Sequence, residues 1–406
     1  MSQHIIIIGA GPAGLAFARA YQSAGARDAA RITIIERQSE TAIAAPQPDG
    51  REIALTATSA QMLEELGVWQ QILATEAWPL TGARVIDAGT PFVMAIDAQR
   101  GRGADADAPL GHMVSNHIIR RALYDGLGFG SGHDNGIDLI CNTSVTDIER
   151  SANGVTVRLD DGQSLSGDVV LAADSRFSTA RAMLGIGVDM LPTGKSMLLA
   201  RVEHELDHGG LASEWFDYGQ TIAMLPLGPN ISSFILTVPH ASAQHIASLT
   251  REALGEVITE RTGGRWGRCE ARTAAHVYPL TMTYSHHFSG ARAALIGDAA
   301  VGMHPVTAHG FNFGLMGSVR LARAMHRSGD VANPAMLRSW AIRHRAATLP
   351  LYVATRSIVG LYTDEHVAAK LARRAVLRLG GTAPARGILS RLLSARKPKK
   401  MRLLAR

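Results

Sequence analysis

The amino terminus carries the pattern that most constrains how this chain can fold. A β-branched apolar run at residues 5–8 is followed by Gly9, Gly11 and Gly14, at G-x-G-x-x-G spacing, and then by a run of helix-forming residues. This order predicts a buried parallel strand, a tight turn and a helix. The first glycine would permit the turn, the second would let the backbone approach a pyrophosphate, and the third would let the helix pack closely.

A second strand, predicted at residues 31–36, ends in an acid. Glu36 follows Gly14 by twenty-two positions, where a carboxylate can accept hydrogen bonds from both ribose hydroxyls of an adenosine. Such an acid favours an unphosphorylated ribose, as in FAD or NAD, over NADP. Neighbouring Arg37 could cover the adenine or be a solvated surface residue. Strand, glycine turn, helix, strand and acid together predict a dinucleotide site.

A second glycine-rich segment lies nearly three hundred residues further on. An apolar strand predicted at residues 293–296 leads to Asp298, and Gly310, Phe311 and Asn312 precede a helical pattern. An acid at a strand end can bind a ribitol hydroxyl, while loop amides and a helix dipole can stabilise negative charge on a reduced ring. We therefore predict that both segments contact one extended FAD. Only one dinucleotide fingerprint is present, so NAD(P)H has no Rossmann domain of its own.

Composition excludes several other classes of protein. Hydrophobic residues make up 46% of the 406 residues, enough for a sizeable core. Cys141 and Cys269 are the only cysteines and lie far apart, so neither a zinc site nor a disulfide framework is indicated, and no metal is expected. The start lacks the basic flank of a signal peptide, and no uninterrupted apolar run approaches about 18 residues. These features predict a cytoplasmic protein without a membrane span.

Charge is divided unevenly along the chain. The net charge is +6, but residues 366–406 carry twelve basic and no acidic residues, which leaves the first 365 residues with a net charge of −6. Cations at positions 370, 373, 374 and 378 accompany apolar residues at a four-residue spacing, which suggests a helix in peripheral contact with the inner face of a membrane. A solvated basic helix is the alternative. Nucleic acid is disfavoured, because the acidic body would repel it.

Several motifs together resemble one enzyme family. The glycine fingerprint, the segment DSRFSTAR at 174–181, the sequence GDAA at 297–300 and the following His-Pro resemble the FAD-dependent aromatic hydroxylases, the class A flavoprotein monooxygenases, over roughly residues 4–345. Two further stretches, REIALTATSAQMLEELGVW and MHPVTAHGFNFGL, are similar to the ubiquinone-biosynthesis hydroxylases of the UbiH, UbiF, UbiI and UbiM group, and most of all to its UbiM members.

The resemblance implies a fold class and a division of the chain. The fold would be α/β, with a Rossmann-like FAD-binding domain of the para-hydroxybenzoate hydroxylase type, interleaved with an antiparallel β-sheet substrate domain and followed by a C-terminal helical segment. The parts would be residues 1–80, 100–185 and 278–345 for the FAD-binding domain, 81–99 and 186–277 for the substrate-binding sheet, and 346–406 for the helical basic segment. Short β-like runs between residues 186 and 277 independently favour the sheet.

The resemblance also implies roles for residues along the cofactor. Arg51 matches the family arginine that reaches the flavin pyrophosphate and the incoming nicotinamide nucleotide, with an ordinary surface arginine as the alternative. Asn116 matches the polar residue near the ribitol, and Asp298 matches the acid that binds it. Asp174 belongs to a segment implicated in contact with FAD and NAD(P)H. Ser175 replaces the glycine that usually follows, so we expect a left-handed backbone to be less favourable there.

The loop that would face the reactive edge of the flavin departs from the family pattern. His304 and Pro305 match the family's His-Pro. His309 stands where glutamine is usual, so it could orient substrate or fill the same space. Gly310 and Asn312 match backbone donors near the pyrimidine end of the ring. His304, Pro305 and His309 are therefore the candidates for catalytic positions, and the resemblance assigns no proton transfer to any of them.

A monooxygenase reaction follows from the same resemblance. NAD(P)H would reduce the flavin and leave, O2 would form a flavin C4a-hydroperoxide, and its distal oxygen would pass to an activated phenol ring. The expected substrate is a polyprenylated phenol or quinol precursor of ubiquinone, with 5-demethoxyubiquinol as one candidate, and other proteins of ubiquinone biosynthesis are candidate partners. Two alternatives stay open: a flavin hydroxylase of a soluble aromatic acid or polyketide, and a flavin-carrying accessory protein that catalyses nothing.

Overall fold

The computed structural model describes residues 3–25, 30–87, 93–97, 109–129, 136–217, 219–305 and 309–363. The strands in this part of the chain are β1 (Gln3–Ile8), β2 (Ala30–Ile35), β3 (Glu52–Thr56), β4 (Trp78–Leu80), β5 (Gly82–Asp87), β6 (Val93–Asp97), β7 (Gly111–Ser115), β8 (Ile137–Ile140), β9 (Val145–Arg150), β10 (Val155–Leu159), β11 (Ser164–Gly167), β12 (Val169–Ala172), β13 (Val188–His204), β14 (Leu211–Asp217), β15 (Gln220–Gly228), β16 (Ile231–Pro239), β17 (Cys269–Ala271), β18 (His276–Ser285), β19 (Ser289–Gly290), β20 (Ala293–Leu295) and β21 (Val301–Gly302). The helices are α1 (Pro12–Ser23), α2 (Glu40–Ala44), α3 (Ala57–Glu65), α4 (Trp69–Thr75), α5 (Asn116–Leu127), α6 (Thr179–Met183), α7 (His240–Ala247), α8 (Arg251–Arg261), α9 (Gly310–Ser328) and α10 (Pro334–Thr363), with a 3-10 turn at Gly297–Ala299.

A six-stranded sheet forms the layer predicted from the amino terminus. Its strand order is β19-β20-β12-β1-β2-β8, and every pairing is parallel except that of β19 with β20. The central strand β1 is buried over its four isoleucines, as their apolar run predicts. Helix α1 returns the chain from β1 to β2 and packs against α5 and α9. The predicted α/β fold with a Rossmann-like sheet is confirmed.

A nine-stranded sheet forms the second layer. Its main path is β21-β18-β13-β16-β15-β14-β5-β6, with β17 paired to β13. The predicted antiparallel arrangement is correct for most of the pairs, but β14 and β5 are parallel. Strands β5 and β6 join this sheet from an early part of the chain, so the chain passes between the two layers more than once. The domain bounds stay a prediction, and the proposed boundary at 277/278 falls inside β18.

Two small antiparallel sheets and a long helix complete the described fold. One sheet has the order β11-β10-β9 and the other β3-β7-β4. Helix α10 begins at Pro334, before the predicted start of the C-terminal segment, and is described as far as Thr363. Within the described ranges no helix is long and apolar enough to cross a membrane. The basic stretch predicted to contact a membrane, residues 366–406, lies outside the described residues.

An ion-pair network joins the nine-stranded sheet to the small sheet that contains β3 and β7. Arg201, on β13, contacts Glu52 at 3.0 Å and Glu76 at 3.1 Å, and its Nη2 donates to Ser115 Oγ at 2.6 Å. Burial raises the pKa of Glu52 above its ordinary value, although Arg201 opposes this rise. Removing one partner would leave a charge buried alone, which costs several kcal/mol, about 3–5. The network therefore holds the nine-stranded sheet against β3 and β7.

Candidate flavin site

Three glycines shape the turn between β1 and α1, each for a different reason. Gly9 has φ +109°, and a Cβ there would lie 2.6 Å from the carbonyl oxygen of Ala173. A Cβ on Gly14 would lie 2.2 Å from the carbonyl oxygen of Gly9, so only glycine lets the helix pack this closely. A Cβ on Gly11 would meet nothing nearer than 3.9 Å. Gly11 therefore borders open space at the start of the helix, where the predicted pyrophosphate would lie.

The amino terminus of α1 is suited to an anion in that space. Its N-cap residue, Gly11, has no capping side chain, and no acid occurs in the first turn, so no residue of the helix itself neutralises its positive end. Glu36 lies beside the turn: its Oε2 accepts from the Ala10 N–H at 2.8 Å and its Oε1 from the Gln38 N–H at 3.0 Å. Arg37 is exposed, and its contact with the adenine stays a prediction.

The second glycine-rich segment lies directly against the first. Strand β12 separates β1 from β20 in the sheet, so the carboxyl ends of these parallel strands share one edge. At this edge a Cβ on Gly297 would lie 2.6 Å from the Cβ of Ala13 in α1, and a Cβ on Gly314 would lie 3.3 Å from the Cα of Gly297. Two segments that are far apart in sequence thus form one continuous surface, as a single extended cofactor requires.

A cluster of polar side chains lies next to β3. Arg51 Nη2 pairs with Asp49 Oδ2 at 2.5 Å, and Asn116 Nδ2 donates to the same oxygen at 2.9 Å. Burial alone would raise the pKa of Asp49, but Arg51 and Asn116 hold it below its ordinary value. The guanidinium of Arg51 lies 5.8 Å from the ring centre of Tyr278, whose hydroxyl donates to the Asp49 carbonyl at 2.7 Å. Sequence motifs do not point to Asp49 or Tyr278, because the two come from segments with no recognised pattern.

Arg120, on α5, supplies a buried donor near this cluster. Among the residues that the structure describes, its Nε has no hydrogen-bond partner, and its Nη2 donates to Gln38 at 3.3 Å. Burial lowers the pKa of Arg120, and nearby Arg51 lowers it further. Two guanidinium groups that repel one another fit an anion between them. Together with the open space at Gly11, these donors fit the pyrophosphate of FAD.

Asp298 follows β20 and pairs with an arginine that the sequence did not single out. Arg176 Nη2 contacts Asp298 Oδ2 at 2.9 Å, and Arg176 Nη1 donates to the Thr281 carbonyl at 3.1 Å. The Asp298 side chain is 36% exposed, so a ribitol hydroxyl can still reach it. Arg176 lies inside the segment DSRFSTAR, but an arginine in a loop is most often a surface residue, so its position alone signals no role.

Ser175 adopts a backbone conformation that favours glycine, which corrects our expectation. Its φ is +140°, at a cost on the order of 1–3 kcal/mol for a residue with a Cβ. Contacts on both sides hold the turn: Asp174 accepts from Ser178 Oγ at 2.5 Å and from the Ala180 N–H at 3.1 Å, while Arg176 is ion-paired. Asp174 therefore caps the start of α6, and its contact with the cofactors stays a prediction.

The His-Pro sequence brings a buried neutral histidine to the site. His304 is 8% exposed, and burial, with the positive charges of Arg176 and Lys195, lowers its pKa to about 4. It is therefore uncharged at neutral pH, in a positive potential. Pro305 follows it, residues 306–308 lie outside the described residues, and His309 is buried at the N-cap of α9. Catalytic roles for the two histidines and the proline stay predictions.

The first turn of α9 contains Gly310, Phe311 and Asn312. Asn312 uses its side chain to bind β3: its Oδ1 accepts from the Thr56 N–H at 3.1 Å and its Nδ2 donates to the Ala54 carbonyl at 2.9 Å. The Asn312 side chain therefore fixes the start of the helix, and this residue has its backbone left for the predicted ring contacts. No acid occurs in the turn, so the positive end of the helix dipole can act on a ligand.

Comparison with known proteins agrees with this geometry. The family described as FAD binding domain matches residues 2–348. The chain is 39% identical to ubiquinone hydroxylase UbiM of Neisseria meningitidis serogroup C over 391 residues, which cover 95% of this chain and 83% of that protein. It is 31% identical to ubiquinone hydroxylase UbiL of Rhodospirillum rubrum, over 93% of this chain and 86% of that protein.

A solved structure shares the fold. The crystal structure of Klebsiella pneumoniae HpxO complexed with FAD and uric acid matches with a TM-score of 0.72 at 19% identity, covering 96% of each chain. The predicted resemblance to the FAD-dependent aromatic hydroxylases, with the ubiquinone hydroxylases among the relatives, is confirmed, and so is FAD as the cofactor. This chain belongs to the family of FAD-dependent aromatic monooxygenases built on the FAD binding domain.

Proposed function

We propose that the enzyme hydroxylates the aromatic ring of a polyprenylated ubiquinone precursor, with NAD(P)H as transient reductant and O2 as the oxygen source. The observation that carries this proposal is the 39% identity to a ubiquinone hydroxylase over 95% of the chain. 5-Demethoxyubiquinol is one candidate substrate. FAD, when bound, supplies the oxygen chemistry, and the protein supplies placement, charge and exclusion of water.

The proposed cofactor path starts at the adenosine. Glu36 would accept hydrogen bonds from the ribose hydroxyls, and the backbone around Gly9, Gly11 and Gly14 would take the pyrophosphate at the start of α1. Arg51 would neutralise the pyrophosphate and meet the incoming nicotinamide nucleotide. This assignment is supported by the open space at Gly11 and by the repulsion between Arg51 and Arg120, the second of which also lies within electrostatic range of Glu36.

The path continues to the ring. Asn116 and Asp298 would bind the ribitol. The backbone of Gly310 and Phe311, at the positive end of α9, would stabilise negative charge at the pyrimidine end of the ring. The support is that Asn312 binds β3 through its side chain and so holds this turn in place.

The proposed substrate wall is the face of the nine-stranded sheet that turns towards β3. Residues opposite one another on paired strands share a face, so Leu199, Ile235 and Ala223 form one row. Arg201, two positions along β13, points the same way and reaches Glu52 on β3. Leu199 is only 1% exposed, whereas Ile235 is partly exposed, so an aromatic ring and a prenyl chain would meet this apolar row at Ile235 and gain free energy on removal from water.

The charges beside His304 would affect the ionisation and orientation of a bound phenol. Burial is the main cause of the lowered pKa of this histidine, and the positive charges of Arg176 and Lys195 lower it further. The same positive potential favours an ionised phenol oxygen, which makes the ring more electron-rich, and a neutral imidazole can orient that oxygen by one hydrogen bond. We propose this orienting role for His304, with Pro305 shaping the loop and His309 filling the space behind it.

We further propose that residues 366–406 bring the enzyme to the inner face of the cytoplasmic membrane, beside other proteins of ubiquinone biosynthesis. A polyprenylated substrate dissolves in the bilayer, so the enzyme gains by working at that surface. The support is the composition of the segment, with twelve cations and no acid.

A quinone profile tests the substrate class. The chain is expressed in a host that lacks its own ubiquinone hydroxylases, beside an Asp298→Ala variant as matched control, and quinones are identified by mass spectrometry. We expect loss of one or more hydroxylation precursors with the parent chain and their persistence with the variant. Accumulation of every precursor with both chains would contradict the proposed substrate.

Anaerobic mixing of the purified holoenzyme with NADH or NADPH separates this failure from a loss of catalysis, because an accessory protein would show no substrate-stimulated bleaching of the flavin.

A further inference from the structure

Helix α10 turns an apolar face outward. Ile342, Leu349 and Val353 are 61%, 41% and 51% exposed, and their spacing of seven and four residues puts them on one side of the helix. The opposite side is buried against the first layer through Leu337, Trp340 and other residues. The helix is therefore apolar on both sides, which is unusual for a helix that has water on one of them.

The charges on this helix all have one sign. Its thirty residues contain Arg338, Arg343, Arg345 and Arg356 and no Asp or Glu. Arg343 lies on one flank of the apolar side, and Arg345 and Arg356 lie on the other, at the helical spacing of 100° per residue. An apolar stripe flanked by cations on both sides is typical of a helix that lies in the surface of a bilayer, where long cationic side chains reach the headgroups.

A cleft of about 520 Å³ opens beside the stripe. Arg345, Leu349, Val353 and Arg356 line it from α10, and Asp189 and Tyr284 line it from the nine-stranded sheet. The guanidinium of Arg345 lies 5.0 Å from the ring centre of Tyr284 and donates to the Ser285 carbonyl at 2.7 Å. Asp189 is held by His286 at 3.0 Å. Arg345 is therefore held in place, and Arg356 is exposed at the rim of the cleft. Asp189, the acid among the lining residues, is already paired with His286.

We propose that this face of α10, together with the cleft, docks on an anionic lipid bilayer, with the apolar stripe in the interface and an anionic lipid headgroup between Arg345 and Arg356. The inference deepens the proposed function, on which its biological purpose rests, because the proposed substrate is dissolved in the bilayer. Lipid binding itself can be measured without any turnover.

Charge decides against two other occupants of this face. The chain's own segment at 366–406 carries twelve cations and no acid, so seating it on two arginines would be repulsive. A second copy docked by the same face would bring the three flanking arginines of one copy close to those of the other, because a two-fold contact repeats each charge. An anionic bilayer supplies both the opposite charge and an apolar interior.

Sedimentation with lipid vesicles tests the proposal on the full-length holoenzyme. Vesicles of phosphatidylcholine alone are compared with vesicles that also contain phosphatidylglycerol, in low salt. The variants are Arg356→Glu and the double substitution Leu349→Asp with Val353→Asp. The matched control is Arg268→Glu, which makes the same charge change at an exposed site next to β17. All of these side chains are exposed, so FAD content and thermal stability should stay unchanged, and both are measured.

We expect the parent to bind the anionic vesicles and each α10 variant to bind them at least about fivefold more weakly, because one cation near an anionic surface contributes about that factor. The control should bind like the parent, within about twofold, on the same scale. Equal binding of all four proteins would overturn the proposal, since the segment at 366–406 would then suffice. Equal binding to both kinds of vesicle would also overturn the proposal. Conversion of a dimer to a monomer by the α10 variants would overturn it as well, because the face would then be an interface between copies. The quinone profile can fail while vesicle binding persists, so the two proposals are tested separately.

Discussion

The adenosine end and the ring end of the proposed flavin site are built differently. The adenosine end comes from one βαβ unit, in which Gly14 packs against the Gly9 carbonyl and the Glu36 carboxylate accepts from the Ala10 N–H. The ring end is assembled from distant segments, among them Arg176, Asp298 and the first turn of α9. The first end depends on sterically required glycines and the second on charges and side-chain contacts. Substitutions at the adenosine end should therefore disturb packing, whereas substitutions at the ring end should change electrostatic properties.

Gly14→Ala should have the largest effect. Its Cβ would collide with the Gly9 carbonyl, so the apoprotein should lose about 3 kcal/mol of unfolding free energy and retain no FAD. Urea denaturation and flavin absorbance measure both. Gly11→Ala is the matched control, because its Cβ meets no protein atom within 3.9 Å. It should keep the stability of the apoprotein while weakening FAD binding by about tenfold, or 1.4 kcal/mol. Equal destabilisation by both variants would show that Gly11 is also needed for packing.

The ring end contains a histidine whose protonation should make the fold less stable in acid. His304 has a pKa of about 4 in the fold, below the ordinary value for histidine, so the unfolded chain binds the proton more readily. The contribution of neutral His304 to the free energy of unfolding is fully present above about pH 6.5 and is lost as the pH falls towards 4. At pH 5 the loss should be about 2 kcal/mol. His304→Gln should remove this loss in urea denaturation of the apoprotein at pH 7 and pH 5.

A second buried histidine provides the control for that measurement. His344 lies between α9 and α10, and burial lowers its pKa to about 4 as well. His344→Gln should therefore remove a loss of similar size to that removed by His304→Gln, because the two pKa shifts are similar. An unchanged pH dependence in His304→Gln would mean that the imidazole can be protonated without penalty at the ring end.

Arginines at the two ends should differ in their effect on the flavin. Arg176 is paired with Asp298 and adds positive potential near His304, so Arg176→Gln should lower the midpoint potential of the bound flavin, on the order of 30 mV or 1.4 kcal/mol. Dye-coupled reduction followed by absorbance measures this shift. Arg37→Gln, at the exposed adenosine end, removes the same charge and should leave the potential unchanged. A similar shift in both variants would attribute the effect to net charge alone.

Ser175→Gly should have the smallest effect and should be stabilising. Glycine adopts φ +140° without the strain of a Cβ, so the variant should gain about 1 kcal/mol at most. Ser178→Ala tests the other side of the same turn, because it removes the side chain that caps α6 through the Arg181 N–H at 2.9 Å. It should lose about 1 kcal/mol. Thermal denaturation ranks the stability of the two variants against that of the parent. A destabilised Ser175→Gly would mean that the Ser175 hydroxyl stabilises the fold by more than its backbone conformation destabilises it.

The sequence predicted the local backbone structure of the adenosine end nearly in full, and the cofactor contacts there stay predictions. Strand, glycine turn, helix and acid are local patterns, and each glycine has a steric reason that holds wherever the motif occurs. At the ring end the sequence predicted the motif positions but not Arg176 as the partner of Asp298, and near the predicted pyrophosphate it did not predict Asp49 as the partner of Arg51. It also predicted the wrong backbone preference at Ser175, because a local propensity was overridden by the hydrogen bonds of Asp174 on the neighbouring turn.

Local order along the chain determined that this protein has a dinucleotide turn, a second acid-and-glycine segment and a cationic end. Only the tertiary structure decided that Gly297 packs against Ala13, that Asn312 binds β3 by its side chain, and that α10 turns an apolar face outward. The physical reason is the range of the forces involved. Steric limits and helix dipoles act between neighbours in the chain, whereas ion pairs, burial and the pKa shifts that follow depend on which distant segments are brought together.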